Sequence, residues 1–336
     1  MYNLIRAFVI VSGLVAAAGL SPRPIRTPPR ALLYVADTEG DDIAVIDAYT
    51  FNLAGRITVG KHPHGAAASP DGRRVYVTVE GQNELVAIDT STNRVIKRSN
   101  IGNRPNEPCV ADGGRFVFVP LLEDSVVAVV DAETLEVVDH IKVPAMPHNT
   151  FASADGRHVY VGSMSGQRIT TIDASTRLVT AEFNPGGWVR PLAIKRDESV
   201  AYAALSGLHG FVEIDMRVRR VERTVRLLQL PPDTPKPFLD TYTHGLALTP
   251  DEHRLYVTSV PGNALYVYSV PDLDRLAKIN VGKAPNWIAV RPDGNVLFVS
   301  NQASDTVSVI DTGTNTVIAT VPVGAAPKRI IVVEPR

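Results

Sequence analysis

A repeat of 42 residues runs along this chain of 336 residues and limits the folds open to it. One copy reads PHGAAASPDGRRVYV and another reads PHNTFASADGRHVYV. Copies of the repeat start every 42 residues at 63, 105, 147 and 189, and again at 243, 285 and 327. The one longer interval, from 189 to 243, holds 12 additional residues. A fixed period of this length is typical of proteins that stack one supersecondary unit many times. The seven copies begin at Pro63, Pro105, Pro147, Val189, Thr243, Pro285 and Pro327.

Each repeat has the pattern of four short strands. In the copy that begins at Pro63, an apolar segment leads into the turn Pro70-Asp71-Gly72, where proline fixes φ and glycine tolerates a positive φ. Two segments rich in β-branched residues, RRVYVTV and ELVAIDT, follow, and then a more polar one, RVIKRSNI. Four strands in each unit of about 42 residues predict a blade of a β-propeller.

The two ends of the chain together supply the last blade. Residues 327–336 provide one first strand, whereas residues 31–60 provide three strands that lack a first. Joining them completes the last blade and closes the ring, so that the ring itself has no free end. The sequence therefore predicts an all-β, seven-bladed β-propeller over residues 31–336, with four-stranded blades of about 42 residues and a last blade closed by the N- and C-terminal strands.

Residues 1–30 differ from the repeats in composition. Arg6 precedes an apolar run, AFVIVSGLVAAAGL, and a proline-rich segment, SPRPIRTPPR, follows it. Ala16 and Ala18 are small residues of the kind found at a signal-peptidase cleavage site. We therefore predict a signal peptide and leader at 1–30, a periplasmic or secreted mature protein, and no membrane span after cleavage. The alternative is an uncleaved N-terminal anchor.

Charge and cysteine content narrow the classes of partner. The chain has 34 basic and 35 acidic side chains and a net charge of -1. It therefore lacks the excess of basic residues that is typical of nucleic-acid-binding proteins. Its single cysteine, Cys109, excludes an intramolecular disulfide. We expect a monomer whose partner is a small molecule or a periplasmic protein, with no nucleic-acid partner.

One position of the repeat is polar in all seven copies. It follows the first residue of each copy, at the end of the predicted central channel where a ligand site is expected. Three of the eight histidines occupy it, in blades that alternate around the ring. Three converging imidazoles that leave a coordination position open form the ligand set of a catalytic zinc site, and they also suit copper or iron. The seven residues are His64, Asn106, His148, Arg190, His244, Asn286 and Lys328.

We therefore predict His64, His148 and His244 as ligands of one transition metal: zinc, copper or iron. The alternative is that these histidines serve a structural role or simple ligand binding, for example through a hydrogen bond to a loop carbonyl. Further ligand-binding candidates share the same position or precede two of the repeat starts. They are Asn106, Arg190, Asn286, Lys328, Arg104 and Trp188.

Three side chains near the same mouth are candidates for catalysis. Arg190 is able to grip a carboxylate through two parallel hydrogen bonds. Tyr242 and Glu107 are candidates for the acid or base if a metal polarises the substrate. The 12 additional residues fall within LLQLPPDTPKPFLDTYTHG on this face, where they form either a partial lid or a plain surface loop.

The strand motif YVT at 76–78 and at 256–258, together with SPDG and VIDT, resembles the YVTN family of β-propeller repeat proteins. The resemblance covers nearly all of residues 31–336. This family and its relatives include secreted surface-layer proteins, lactonase-like enzymes and propellers associated with redox cofactors. A shared fold transfers none of these activities by itself.

Three functions stay open on the sequence alone. The first is a binding module for a small ligand, a metal or a protein partner at the channel mouth. The second is a metal-dependent enzyme with the three-histidine site, in which Arg190 orients an acidic substrate. The third, implied by the family resemblance alone, is a lactonase-like hydrolase. Because no G-x-S-x-G, H-E-x-x-H, CxxC or dinucleotide motif occurs, the sequence leaves enzymatic activity undecided.

Overall fold

The computed structural model describes residues 31–335, and the predicted signal peptide at 1–30 lies outside them. The described residues form seven four-stranded antiparallel sheets. They contain no α-helix and three short 3-10 helices, at Glu80–Gln82, Asp112–Gly114 and Phe238–Asp240. This architecture confirms the predicted all-β, seven-bladed propeller with four-stranded blades.

The first strand of each blade lies innermost, where it contacts the first strands of the neighbouring blades. Four of the seven begin with proline, which is tolerated at the first residue of a strand because no ladder hydrogen bond is lost there. These strands are β4 (Pro63–Ala68), β8 (Cys109–Ala111), β12 (Pro147–Ala152), β16 (Val189–Ile194), β20 (Leu246–Leu248), β24 (Pro285–Val290) and β28 (Pro327–Val333).

The second and third strands of each blade are largely buried, because their β-branched and aromatic side chains pack between neighbouring sheets. Tyr34 and Val45 of one blade, for example, share a cluster with Val77 and Val86 of the next. The second strands are β1 (Leu32–Asp37), β5 (Arg74–Val79), β9 (Phe116–Leu121), β13 (His158–Ser163), β17 (Val200–Leu205), β21 (Arg254–Ser259) and β25 (Val296–Asn301). The third strands are β2 (Asp42–Asp47), β6 (Glu84–Asp89), β10 (Val126–Asp131), β14 (Arg168–Asp173), β18 (Gly210–Asp215), β22 (Ala264–Ser269) and β26 (Thr306–Asp311).

The fourth strand of each blade is the outer edge of its sheet and is mostly exposed. Its polar residues keep this edge in contact with water, which disfavours pairing with another chain. The fourth strands are β3 (Leu53–Thr58), β7 (Arg94–Asn100), β11 (Val137–Lys142), β15 (Val179–Phe183), β19 (Arg220–Arg226), β23 (Arg275–Asn280) and β27 (Thr316–Pro322).

We number the blades from the one that begins with β4, so that blade 7 consists of β28, β1, β2 and β3. Strand β28 pairs antiparallel with β1, with Leu32 opposite Val333 and Val35 opposite Ile330. The two ends of the described chain therefore meet in one sheet, as predicted. This pairing also carries Lys328 to the central channel.

First strands begin, and second strands end, at the same end of the channel, which we call the mouth face. The additional residues of the fourth repeat lie between β19 and β20 on this face, and we call residues 228–242 the lid segment. The 3-10 helix Phe238–Asp240 belongs to it. Within residues 31–335, no helix has the length and apolar character needed to cross a membrane.

Candidate functional site

The mouth end of the central channel contains a cavity of about 330 Å³. Every residue of the polar repeat position lines it, and six of the seven are buried, while Lys328 is half-buried. The predicted ligand-binding residue Arg104 also lines it. The seven residues that the fold brings together are His64, Asn106, His148, Arg190, His244, Asn286 and Lys328.

A larger cleft of about 580 Å³ lies between blades 1 and 2 on the opposite face, around Asp71 and Glu133. The corresponding turns of blades 5 and 6, around Asp251 and Asp293, form a similar cleft. Because this cleft recurs at equivalent repeat positions, it is a feature of blade packing. The mouth cavity is the more specific site, since residues from all seven blades converge there.

An irregularity at the start of the first strands directs the polar position into the cavity. Pro63 pairs with Val79, but the register shifts before Ala66 pairs with Val77, so His64 lies at a bulge. The same shift occurs in β12, β16 and β24. Bulges of this kind re-aim side chains, which explains why a residue beside the leading proline reaches the channel.

His64 forms a close pair with Glu80. Its Nδ1 lies 2.7 Å from Oε2 of Glu80, and Arg104 donates from Nε to the other oxygen of this carboxylate at 2.9 Å. Since a carboxylate only accepts hydrogen bonds, Nδ1 of His64 carries the hydrogen and Nε2 keeps its lone pair. Burial lowers the pKa of His64 to about 4, although the hydrogen bond to Glu80 opposes this shift. Burial acts to raise the pKa of Glu80, but His64 and Arg104 outweigh it and hold that pKa well below its usual range.

His148 and His244 complete a row of three imidazoles. The centroid of the His148 ring lies 6.3 Å from that of His64 and 5.8 Å from that of His244, both in edge-to-face arrangements. Burial, assisted by the charges of Arg190 and Arg329, holds the pKa of His148 and of His244 well below the usual value. All three imidazoles are therefore neutral at pH 7. Among residues 31–335, the buried Nδ1 of His148 has no hydrogen-bond partner.

Four cationic side chains line the same cavity: Arg104, Arg190, Lys328 and Arg329. Arg190 donates from Nε to Oγ of Ser206 at 2.9 Å and from Nη2 to the carbonyl oxygen of Leu239 in the lid segment at 3.2 Å. Burial, with the charge of Arg329, lowers the pKa of Arg190 to about 10, so it stays charged at pH 7. Burial also lowers the pKa of Lys328. The cavity therefore favours a ligand that carries or develops negative charge.

Arg329, which sequence reasoning missed, is fully buried beside the imidazoles and lines the cavity. Its Nε lies 3.0 Å from Oε2 of Glu107, and it donates to the side-chain oxygens of Asn286 at 3.0 Å and Asn149 at 3.2 Å. Its guanidinium carbon lies 4.2 Å from the centroid of the Trp287 ring. One side chain of β28 thus contacts blades 2, 3 and 6.

The residues around Arg329 share a repeat position that the sequence does reveal. They stand two residues after each repeat start. Glu107 and Arg329 carry opposite charges at this position, and that difference is the feature of the sequence from which their ion pair could have been predicted. Glu107, a predicted acid or base, does not line the cavity and is instead held by this ion pair. Burial raises the pKa of Glu107, and the charge of Arg329 opposes the rise. The position comprises Gly65, Glu107, Asn149, Pro191, Gly245, Trp287 and Arg329.

Two other candidates from the sequence lie outside the cavity. Trp188 lines a separate small cavity with Leu239 and Asp240. The ring of Tyr242 lies 6.2 Å from that of His209, and Tyr242 does not line the mouth cavity. Neither side chain is therefore positioned among the imidazoles.

The three imidazoles are not arranged as a metal-ligand group. Within residues 31–335, no cluster of three or more His, Cys, Asp or Glu residues is placed to hold a metal ion. Nη1 of Arg329 lies 3.4 Å from Nδ1 of His244, so a guanidinium cation lies beside one of the predicted ligands. The zinc, copper or iron site at His64, His148 and His244 stays a prediction.

The profile of a family described as Lactonase, 7-bladed beta-propeller matches residues 37–317. Among solved structures, the chain is similar to the periplasmic gluconolactonase PpgL of Pseudomonas aeruginosa, with 21% identity and a TM-score of 0.74 over 91% of this chain and 99% of that chain. A Bacteroides fragilis protein provisionally described as a 6-phosphogluconolactonase gives 16% identity and a TM-score of 0.76 over 93% and 100% of the two chains. Hydrazine synthase of Kuenenia stuttgartiensis gives 17% identity and a TM-score of 0.73 over 89% and 99%.

No match to a curated protein was found. At these identities the likeness to solved structures concerns the fold alone, and the names of the three proteins include two lactonases and a hydrazine synthase. The profile match is the stronger observation, because it spans more than half of the chain.

Proposed function

The chain belongs to the family of seven-bladed β-propeller lactonases, and on this premise we propose that it hydrolyses a lactone to the corresponding hydroxy acid in the mouth cavity. The observation that carries this proposal is the contact of 2.7 Å between Nδ1 of His64 and Oε2 of Glu80 in the cavity wall. A neutral imidazole oriented by a carboxylate is the arrangement that general-base catalysis of acyl transfer uses.

In the proposed reaction, His64 accepts a proton on Nε2 from a water molecule, whose oxygen attacks the carbonyl carbon of the lactone. The resulting tetrahedral oxyanion collapses, the bond between the carbonyl carbon and the ring oxygen breaks, and the imidazolium returns the proton to the leaving alkoxide. Glu80 holds the hydrogen on Nδ1 and stabilises the transient imidazolium. General-base catalysis of this kind contributes about 10²–10⁴ in rate.

The cations of the cavity have a separate role in this reaction. Arg190 and Lys328 line the same cavity as His64 and supply positive charge where the carbonyl oxygen becomes an oxyanion. Arg190 is already held by Ser206 and by the lid segment, so its guanidinium requires little reorganisation. The same charges favour binding of the carboxylate product.

The test is hydrolysis of a panel of lactones by the wild type and by the variants His64→Gln and Glu80→Gln. We expect kcat/KM to fall about 10²–10⁴-fold in His64→Gln, because the proton acceptor is lost. The matched control is His158→Gln, since Nδ1 of His158 also contacts a carboxylate, Oε2 of Glu198 at 2.8 Å, but at the opposite end of its blade. This control is expected to keep wild-type activity.

Two results would overturn the proposal. One is a wild-type protein that hydrolyses no lactone of the panel, and the other is an equal loss of activity in His64→Gln and His158→Gln. Treatment with a chelator before the assay tests the metal-dependent alternative, in which His64, His148 and His244 bind a transition metal. Activity that is abolished by chelation and restored by zinc, copper or iron would support that alternative instead.

Binding without catalysis is the broader form of the same proposal, with a small molecule or a protein partner at the mouth. Arg104, Asn106 and Asn286 line the cavity and would provide polar contacts to such a ligand. Trp188 lines a separate cavity, so its side chain would have to reorient to contact a ligand in the mouth cavity.

We further propose that the protein is exported and acts as a monomer in the periplasm or outside the cell. Arg6 and the apolar run that follows it support export. The YVT motifs at 76–78 and 256–258 support assignment to the YVTN type of propeller.

A further inference from the structure

A second repeat position faces the mouth cavity, from the loops that join second and third strands. It is the first residue after each second strand, and five of its seven members line the cavity. The polar members Gln302 and Glu80 belong to blades 6 and 1, whereas Leu122, Met164 and Val260 belong to blades 2, 3 and 5. The position comprises Thr38, Glu80, Leu122, Met164, Ser206, Val260 and Gln302.

The lid segment enlarges the apolar side of the cavity. It leaves blade 4 and enters blade 5, and three of its apolar residues line the cavity. Together these side chains form one wall that runs from blade 2 to blade 5, which we call the apolar arc. The apolar arc consists of Leu122, Met164, Pro237, Phe238, Leu239 and Val260.

Phe238 is the most exposed large apolar side chain among residues 31–335, at 86%. Its backbone is nevertheless well anchored, because Arg190 donates to the carbonyl oxygen of Leu239 at 3.2 Å and the amide of Gly207 donates to that of Asp240 at 2.8 Å. Lys236 also pairs with Asp240 at 3.0 Å. A phenyl ring held in water at the mouth of a cavity gains free energy only when an apolar group covers it.

The facing side of the cavity is polar and charged. His64 with Glu80, Asn286 and Lys328 lie in blades 1, 6 and 7, opposite the lid segment. Blades 1, 6 and 7 therefore contribute only polar groups to the cavity, whereas its apolar surface comes from blades 2 to 5 and the lid segment, where it lies beside His148, Arg190 and His244. Such a division fits a ligand with a reactive polar end and an apolar substituent.

We infer that the substrate is a lactone with an apolar alkyl or aryl substituent, which packs on Phe238 and the apolar arc while the lactone ring faces His64 and Lys328. This inference rests on the proposed lactonase function. Phe238 acts in it as a specificity-determining residue. Met164 adds an unbranched side chain that adapts to substituents of different shape.

The test uses γ-lactones whose side chain grows from hydrogen to hexyl. In the wild type we expect kcat/KM to rise about three- to fourfold for each methylene that becomes buried. In Phe238→Ala this rise is expected to flatten, mainly through KM, when each substituted lactone is compared with the unsubstituted lactone in the same protein. Phe238→Leu restores part of the rise. The control is Leu178→Ala, which removes another exposed apolar side chain, 65% exposed, on the opposite face.

The outcomes separate this inference from the proposed function. Hydrolysis that does not depend on chain length overturns the inference and leaves the function standing. If no lactone is hydrolysed, the proposed lactonase function fails, and binding of the matching 4-hydroxy acids is measured by calorimetric titration. An affinity that rises with chain length in the wild type but not in Phe238→Ala would still support the apolar wall. No hydrolysis and no dependence of binding on chain length overturns both.

Discussion

At the residue scale, burial sets the charge of each histidine in the mouth cavity. His64 is 8% exposed, and its pKa of about 4 follows from the loss of hydration, which Glu80 only partly offsets. An exposed histidine is partly protonated near pH 6.5 and is then unable to accept a proton. Burial therefore keeps the His64 imidazole neutral well below pH 6.5, and the lower pKa also makes it a weaker base.

The same burial predicts a loss of stability in mild acid. Because the pKa of His64 is about 4 in the folded chain and near 6.5 in the unfolded chain, the unfolded state binds more protons between these values. Stability from this group is present above pH 6.5 and is lost as the pH falls towards 4. For His64 alone the loss between pH 7 and 5 is about 2 kcal/mol. Urea unfolding at pH 7, 6 and 5 measures it.

His64→Gln provides the comparison for this pH dependence. The variant is expected to lose less stability between pH 7 and 5 than the wild type, since one titrating group is removed. Asp37 affects the pH dependence of stability in the opposite direction, because burial raises its pKa to about 7. Since Asp37 is present in both the wild type and His64→Gln, its contribution cancels in the comparison. Identical slopes in both would show that His64 is not held neutral by the fold.

At this scale the sequence was sufficient to single out the seven cavity-lining residues that share one repeat position. His64, His148 and Arg190 share a repeat position, and equivalent positions in a propeller lie at equivalent depth around one axis. It was not sufficient to show that Arg329 pairs with Glu107, because the contact crosses the channel between blades 7 and 2. The distance from Glu80 to His64 likewise depends on how the start of β4 packs against the 3-10 helix Glu80–Gln82 of blade 1.

At the scale of single strands, close approach of the inner strands limits which residues they tolerate. A Cβ atom on Gly65 of β4 would lie 2.5 Å from Cδ of Pro108 and 2.6 Å from the backbone oxygen of Asn106. Around Gly55 of the outer strand β3, no atom lies within 4 Å of the corresponding position. The small residue is therefore required in the inner strand and not in the outer one.

Gly65→Ala is expected to destabilise the fold by about 1–3 kcal/mol, because backbone atoms of blade 2 must shift to admit the methyl group. Gly55→Ala is the control and is expected to be neutral or slightly stabilising, since alanine loses less conformational freedom than glycine in a strand. Chemical denaturation of the two variants measures the difference. A Gly65→Ala variant as stable as the control would mean that the inner strands are not tightly packed.

At the scale of the whole molecule, the ring is held closed by a single strand from the C-terminal end. Strand β28 completes blade 7 by pairing with β1, and it also contacts β24 and β4 of the two neighbouring blades. It carries Lys328 and Arg329 into the cavity. Closure of the ring and assembly of the site therefore depend on the same few residues.

Deletion of residues 327–336 is expected to leave β1 with an unpaired edge and to cause aggregation or loss of cooperative unfolding. Size-exclusion chromatography and thermal unfolding followed by circular dichroism measure both effects. The control moves these residues to precede residue 31 through a short turn, which places β28 beside β1 as in the other blades. A deleted chain that stays monomeric and unfolds cooperatively would contradict this role of β28.

Local sequence was enough to specify the strands, the blade count and the joining of the two ends, because each blade repeats its pattern of turns and β-branched residues within 42 residues. Only the closed ring brought Glu107 of blade 2 to Arg329 of blade 7. The contacts of His64 with Glu80 and of Arg190 with the lid segment lie within or beside one blade, but their distances depend on how the side chains pack at the mouth. The charge states of the cavity follow from the same packing, since a histidine loses its hydration only when the surrounding blades exclude water.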